Sequence, residues 1–357
     1  MAVYLPFAPK HCPTKLMNEA VNSPQSTGHG RGALPARYGS PRVHCRWAAP
    51  DEDIAASYKS ICDAAPFTAY HQCYEIGEAV RAIGGLAYRA RLYDGEQLIG
   101  VAQALVHKLF GGLAIIHVMR GPVWAKPSLA PAIKAAAIEA MHETVPAKGP
   151  FVFLVSPEHD ADDGLACTGM KRVFGGYHTG LVDLTAPEDD ILKNLNGKWR
   201  NRLRTAQSEN ITVNRLARDP LKYAWLLDKD AQLMKRLRHQ SSNVALVPAF
   251  HNAAGGKSIL AYEAKDGDTR LAGMLFLRHG ACATYHIGWS GAAGKSLNAH
   301  NLLMWDAIRD LKKAGVRVLD LGGVDTDYNP GIARFKLGTG AKVVSSSGSW
   351  TKGPRWR

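Results

Sequence analysis

Residues 316–348 read VRVLDLGGVDTDYNPGIARFKLGTGAKVVSSSG. An apolar run with strand character carries Asp320 near its end and breaks at Gly322 and Gly323, a pair that punctuates a strand. A variable loop follows, then Gly331-Ile332-Ala333-Arg334-Phe335-Lys336 and a second glycine-rich turn. Working outward, the strand is preceded by a helical pattern over 298–314. Before that come the strand SILAYEA at 258–264, a turn at Asp266-Gly267-Asp268, and the strands LAGMLFLRHG and ACATYHIGWS. The same order occurs earlier in the chain. LAYRARLY at 86–93 turns at Asp94-Gly95 into QLIGVAQALVHKLF, followed by LAIIHVMRGPVW, a helix over 130–143 and the apolar strand FVFLV at 151–155. Two copies of hairpin, strand, helix and strand predict an α+β protein with two tandem domains, each a mixed central sheet flanked by helices.

The length of 357 residues suits two domains of this kind. Apolar residues make up 46% and charged residues 21%, the balance of a water-soluble chain. No apolar run reaches the ~18 residues that would cross a membrane. Ala2–Ala8 is interrupted by Pro6 and followed by Pro9, so no secretory signal is read and a cytoplasmic location is expected. The six cysteines contain no CxxC pair, and neither they nor the dispersed histidines show ligand spacing, so no metal is expected. The net charge of +13 points to a polyanionic partner: nucleic acid, nucleotide or an anionic membrane surface touched peripherally. Basic tails contribute to that charge. Residues 1–45 are rich in Pro, Gly and cations and are expected to be a disordered tail. The expected division is 46–184 for the first domain, 185–350 for the second, and 351–357 for a short basic tail.

Between the halves lies TGLVDLTAPEDDILKNLNGKWRNRLRTAQSENITV, residues 179–213. Thr185 is expected to cap a helix whose first turn holds Glu188, Asp189 and Asp190, where the helix dipole favours acids. Leu192, Leu195, Trp199 and Leu203 form an apolar stripe at helical spacing, with Lys193, Lys198, Arg200, Arg202 and Arg204 over much of the remainder.

These segments resemble the FemAB family of transferases. The carriers are Met119-Arg120-Gly121-Pro122-Val123, then Asp183-Leu184, Ile191-Leu192, Lys198, Arg200, Arg204 and Ala206, then Tyr285-His286-Ile287-Gly288, the helix 302–315 and the signature 316–348, in family order over roughly residues 47–350. The resemblance implies two GNAT-like domains, the acyl-CoA N-acyltransferase fold, and transfer of an acyl or aminoacyl group onto an amine. It implies aminoacyl-tRNA as donor, no bound cofactor, and a peptide or cell-wall precursor as acceptor. Acetyl-CoA is the donor in the alternative reading; a third reading is a non-catalytic RNA- or envelope-binding protein. The place where a coenzyme A pyrophosphate loop is expected holds Gly291 and Gly294 without the full spacing. The long helical arm of several cell-wall members has no room in 219–257.

Aminolysis of an ester needs a neutral amine and stabilisation of an oxyanion, and no covalent nucleophile. No GxSxG and no Cys/His signature is present. Lys336 and Asp320 are therefore the expected catalytic pair: Lys336 as a cation aimed at an oxyanion or phosphate, Asp320 as an orienting carboxylate. A surface lysine and a turn-stabilising carboxylate are the competing readings. Expected substrate contacts are Arg120, which a salt bridge would explain equally well, Arg200 with Arg204 one helical turn on, Tyr285, Tyr328 and Phe335. Tyr285 and His286 are adjacent in a strand and face opposite ways, with Tyr285 expected toward the cleft.

Overall fold

The structure is a computed structural model and describes residues 43–158, 164–216, 219–238, 241 and 243–355. The first half runs β1 (Val43–Trp47), α1 (Ala55–Ala64), α2 (Tyr74–Ala82), β2 (Leu86–Asp94), β3 (Gln97–Lys108), β4 (Ala114–Met119), β5 (Val123–Trp124), α3 (Pro131–Thr144), β6 (Phe151–Ser156) and β7 (Lys171–Phe174). Next come β8 (His178–Asp183), α4 (Glu188–Asn194), α5 (Gly197–Ser208), β9 (Thr212–Arg215), α6 (Pro220–Arg236) and α7 (Asn243–Ala254). The chain continues through β10 (Ile259–Asp266), β11 (Thr269–His279), β12 (Cys282–Ser290), α8 (Ala292–Ser296), α9 (Ala299–Lys313) and β13 (Val318–Gly323). It closes with α10 (Pro330–Leu337), β14 (Lys342–Ser345) and β15 (Ser349–Arg355).

One sheet has the order β1-β2-β3-β4-β6-β15-β7, with β5 beside β3; the other is β14-β8-β13-β12-β11-β10-β9. Both are mixed, and the α+β class with two tandem GNAT-like domains stands. The repeat seen in sequence is real: β2-β3-β4-α3-β6 and β10-β11-β12-α9-β13 share one order, and each ends in a parallel pair, β4 with β6 and β12 with β13.

The domain boundaries differ from the expected ones because each half lends a strand to the other sheet. β8 lies in the second sheet between β13 and β14, although 178–183 precedes the expected boundary. β15 pairs with β6 and β7 in the first sheet, so the expected tail at 351–357 is strand as far as Arg355. At the other end, 43–45 open β1 instead of belonging to a tail; residues 1–42 lie outside the described residues. Thr185 caps no helix. Its hydroxyl donates to Asp183, and the stripe expected on one helix is divided between α4 and α5, the latter capped by Asn196 accepting from the Lys198 amide.

Three apolar clusters hold the layers. In the first domain, Ala135, Ile138 and Met141 of α3 pack on Val118, Phe151 and Phe153. In the second, Trp199, Leu203 and Ala206 of α5 join Leu303, Ala307 and Leu311 of α9 on one sheet face, beside Phe276 and Leu319. The opposite face, with Leu275, Leu277 and Ile287, is covered by Tyr223 and Leu226 of α6 and by Val247 and Phe250 of α7. Ile76 and Ala79 of α2 complete that last cluster, so the two halves share a core. Each large side chain so buried contributes ~1.5–3 kcal/mol, and the shared cluster fixes the halves against each other.

Candidate active site

The two parallel pairs differ. β4 and β6 stay paired from Ala114 with Phe151 to Met119 with Ser156. β12 and β13 pair only from Cys282 with Val318 to Thr284 with Asp320, after which they part. Each strand has a local cause. On β12, His286 is an extra residue in a bulge opposite Leu275 and Phe276, which sends Tyr285 and Ile287 to opposite faces. On β13, the register against β8 shifts between Asp320 and Gly323, across the glycine pair. The result is a V between the strands in the second domain, with Tyr285 on one wall.

Lys336 stands at the apex of that V. Its Nζ donates to the Gly323 carbonyl at 2.9 Å and lies 5.8 Å from the centre of the Tyr285 ring. Burial pulls its pKa down from the usual lysine value to about 8, against the opposing pull of Asp320. Lys336 is thus an ammonium held in a poorly solvated corner, close enough to neutrality to titrate in the ordinary working range. Gly322, with φ of 69°, turns β13 beside it; a Cβ there would stand 3.7 Å from the Nζ and 3.8 Å from the Tyr177 hydroxyl. The space tolerates a methyl group but the backbone does not: Gly322→Ala is expected to cost about 1–2 kcal/mol of stability, read as a lower urea midpoint at unchanged slope.

Asp320 does not line this V. It is fully buried: Oδ1 accepts from the Thr179 hydroxyl at 2.5 Å and from the Gly322 amide at 2.8 Å, and Oδ2 accepts from Arg120 Nη1 at 2.5 Å. Burial alone would push the Asp320 pKa up, but Arg120 and these hydrogen bonds outweigh it and hold it below the usual range. Arg120 is itself buried and also pairs with Glu158 through Nε at 2.6 Å and Nη2 at 2.5 Å, its guanidinium between the Phe67 and Tyr177 rings. Both residues find their partners within the chain, the salt bridge and turn-stabilising arrangements weighed from the sequence. Arg120 spends its donors on two carboxylates instead of a substrate anion, and Asp320 meets Arg120 across the domain boundary while fixing the bend at Gly322.

A cleft of about 390 Å³ opens from the V along β12, lined by Tyr285, Gly288 and Ser290 of β12, Lys295 of α8, His300 and Asn301 of α9, and Ile332 and Phe335 of α10, with Arg202 of α5 at its side. Phe335 packs on Trp199 and His300, which fixes the α10 wall. His300 donates from Nε2 to the Trp289 carbonyl at 2.8 Å; burial lowers its pKa, so the imidazole is neutral. Of the residues expected from sequence, Tyr285 and Phe335 line the cleft, and Lys336 lies beside Tyr285 without being among the lining residues. Arg200 and Arg204 do not: they sit about 100–140° around α5 from Trp199, whereas Arg202 lies about 60° to the other side, facing the cleft. Tyr328 is 82% exposed on the preceding loop and away from the cleft. Arg202, Lys295, His300 and Asn301 were not singled out, because only the fold brings three separate helices to one opening. Among the described residues no group of His, Cys, Asp and Glu could hold a metal, and no helix is long and apolar enough to cross a membrane.

Residues 193–330 match the family model described as an acetyltransferase (GNAT) domain. That segment is similar to GNAT acetyltransferase domains. The match covers α5, β12 and β13 and ends at the start of α10, short of the cleft residues Ile332 and Phe335 and of Lys336. Among solved structures the chain is similar to FemX, with 16% identity over 86% of this chain and 96% of that one and a TM-score of 0.69. It is also similar to a tandem GNAT protein from the clavulanic acid biosynthesis pathway, with 13% identity over 87% and 98% of the two chains and a TM-score of 0.51. At these identities the likeness is one of fold. No curated protein compared with the sequence matches it.

Proposed function

We propose that this GNAT domain moves an aminoacyl group from aminoacyl-tRNA to an amine of a peptide or cell-wall precursor by direct aminolysis. The observation that carries the reading is the cleft lined by Arg202 and Lys295, with Lys336 beside its Tyr285 wall, Nζ 5.8 Å from the ring centre and bonded to the Gly323 carbonyl. The donor's phosphates lie along those cations, and its ester carbonyl lies at the apex. The acceptor's neutral nitrogen attacks the carbonyl carbon, and the C–N bond forms as the π electrons move to oxygen. Lys336 stabilises that oxyanion electrostatically. Collapse breaks the ester C–O bond, and the departing ribose oxygen takes up the proton the amine gives away. Holding both substrates in the V supplies the rest of the advantage by proximity. The net charge of +13 favours a polyanionic donor over a small one.

Acyl-CoA is the second reading, favoured by the family model's description as an acetyltransferase domain, while the incomplete spacing around Gly291 and Gly294 counts against it. Binding of a charged tRNA pool and of acetyl-CoA, measured over a salt series, separates the two. Aminoacyl transfer predicts tRNA binding that weakens steeply with salt, a preference for the charged form, and amino acid appearing on a peptide amine. Tight acetyl-CoA binding without discrimination between charged and uncharged tRNA would overturn it in favour of the second reading.

A further inference from the structure

Helix α5 carries Lys198, Arg200, Arg202 and Arg204 and no acidic residue; Arg200 is half-buried and the other three are exposed. Among the described residues none of the four forms an ion pair, and Arg200 Nη1 makes one long contact, donating to the Lys193 carbonyl at 3.4 Å. Other arginines of the same domain do find acids: Arg215 meets Asp310, Arg270 meets Glu263 and Arg309 meets Glu188. The arrangement on α5 is costly to the helix itself. Lys198 stands in the first turn, where the helix dipole disfavours a cation. Lys198 with Arg202, and Arg200 with Arg204, are like-charge pairs at the i,i+4 spacing. Nothing in α5 offsets either cost, and an anion outside the chain would offset both. The rotation of the helix gives that anion its shape. Trp199, Leu203 and Ala206 enter the core, so the cations fall in two rows, one on each side of the exposed, uncharged Asn201 and Ser208. Arg202 of one row lines the cleft; Arg200 and Arg204 form the other row, on the flank turned from it. Within each row the charges stand about 6 Å apart along the axis. A small anion seated in the cleft meets the first row alone. Meeting both takes a chain of charges that leaves the cleft and crosses α5, as the backbone of a nucleic-acid strand does.

We propose that Arg200 and Arg204 bind backbone phosphates of the donor RNA outside the cleft, so that α5 holds the body of the RNA while the cleft holds its aminoacyl end. This rests on aminoacyl-tRNA being the donor. The row takes no part in the chemistry and does not touch the ester, so it binds charged and uncharged RNA alike and adds affinity that a small donor does not share.

The test is the double variant Arg200→Gln with Arg204→Gln, beside Arg200→Lys with Arg204→Lys, which keeps the charge. Each is titrated over a salt series with charged tRNA, uncharged tRNA and an aminoacylated dinucleotide too short to leave the cleft. Binding to vesicles of phosphatidylglycerol and phosphatidylcholine, and unfolding in urea without ligand, are followed in parallel. In the glutamine variant both forms of tRNA should bind more weakly, and the slope of log affinity against log salt should become shallower by about 1.4–1.8, the loss of two phosphate contacts. The lysine variant should keep the wild-type slope. Dinucleotide affinity should not change, and the ligand-free glutamine variant should be at least as stable as the wild type, because two like-charge pairs become one. An unchanged slope in a variant that still binds tRNA would overturn this inference and leave the donor reading standing. Equal loss of dinucleotide affinity, or a less stable ligand-free variant, would overturn it by showing that the row serves the cleft or the fold. Vesicle binding lost in the glutamine variant while tRNA binding persists would overturn it in favour of a membrane surface. Wild-type protein that binds acetyl-CoA and no tRNA would remove the donor reading, and this inference with it.

Discussion

Lys336→Met is expected to lower kcat by about 10²–10³-fold, the usual effect of removing one oxyanion-stabilising group, while donor affinity changes little. Methionine keeps an unbranched apolar stem and removes the charge that lies 5.8 Å from the Tyr285 ring centre. Stability should not fall. The folded pKa, about 8, lies below the ordinary lysine value, so the unfolded chain binds more protons between the two. Ammonium burial is thus a cost to folding, largest below about pH 8 and fading as pH rises toward the unfolded value. The same titration shapes the rate: kcat should fall as pH rises through about 8 and the charge is lost. Lys336→Arg, which stays charged, should keep partial activity and lose that falling limb. Turnover of Lys336→Met at the wild-type rate would take Lys336 out of the site.

The second large effect is structural. Arg120→Ala leaves Asp320 and Glu158 buried without their cation, and breaking a buried pair in this way costs about 3–5 kcal/mol. A urea titration should show it as a lower midpoint. The pH dependence distinguishes this mechanism from simple loss of packing. In the wild type, Asp320 has a depressed pKa, so its contribution is present at neutral pH and is lost as pH falls through the folded value. In Arg120→Ala, the abandoned carboxylates resist ionisation, so lowering the pH should shrink the deficit between variant and wild type. Adding Asp320→Asn to Arg120→Ala should recover part of the loss, since one buried charge then disappears. A deficit independent of pH would show that Arg120 contributes packing alone. Because Asp320 also accepts from the Gly322 amide, and Gly323 accepts from Lys336, this first-domain arginine supports the bend that holds Lys336 in the second domain.

Much of this was legible in the chain. The Asp-Gly turns, the alternating strands and the repeated order of elements announced two α+β units, because turn chemistry and side-chain period act over a few residues. The glycine pair at 322–323 and the Phe335-Lys336 step marked the corner where β13 ends. Tyr285 facing the cleft followed from alternation, although the bulge at His286 then reversed the alternation at Ile287. The exchange of β8 and β15 between sheets left no local mark, since strand pairing is a choice among partners far apart in sequence. Arg200 and Arg204 looked like a phosphate clamp at helical spacing, but the rotation of α5 is set by Trp199 and Leu203 entering the core, and that rotation presents Arg202 instead.

The sequence by itself determined the element types, the duplication and the reaction class it resembles, all written in short-range patterns. The tertiary structure alone decided which residues share a site. Asp320 and Arg120 are 200 positions apart and in different halves, yet they meet because burial obliges a carboxylate to find a cation. That long-range pairing, and not any local motif, places Asp320 in the frame between the halves, while Tyr285, Phe335 and Arg202 line the cleft.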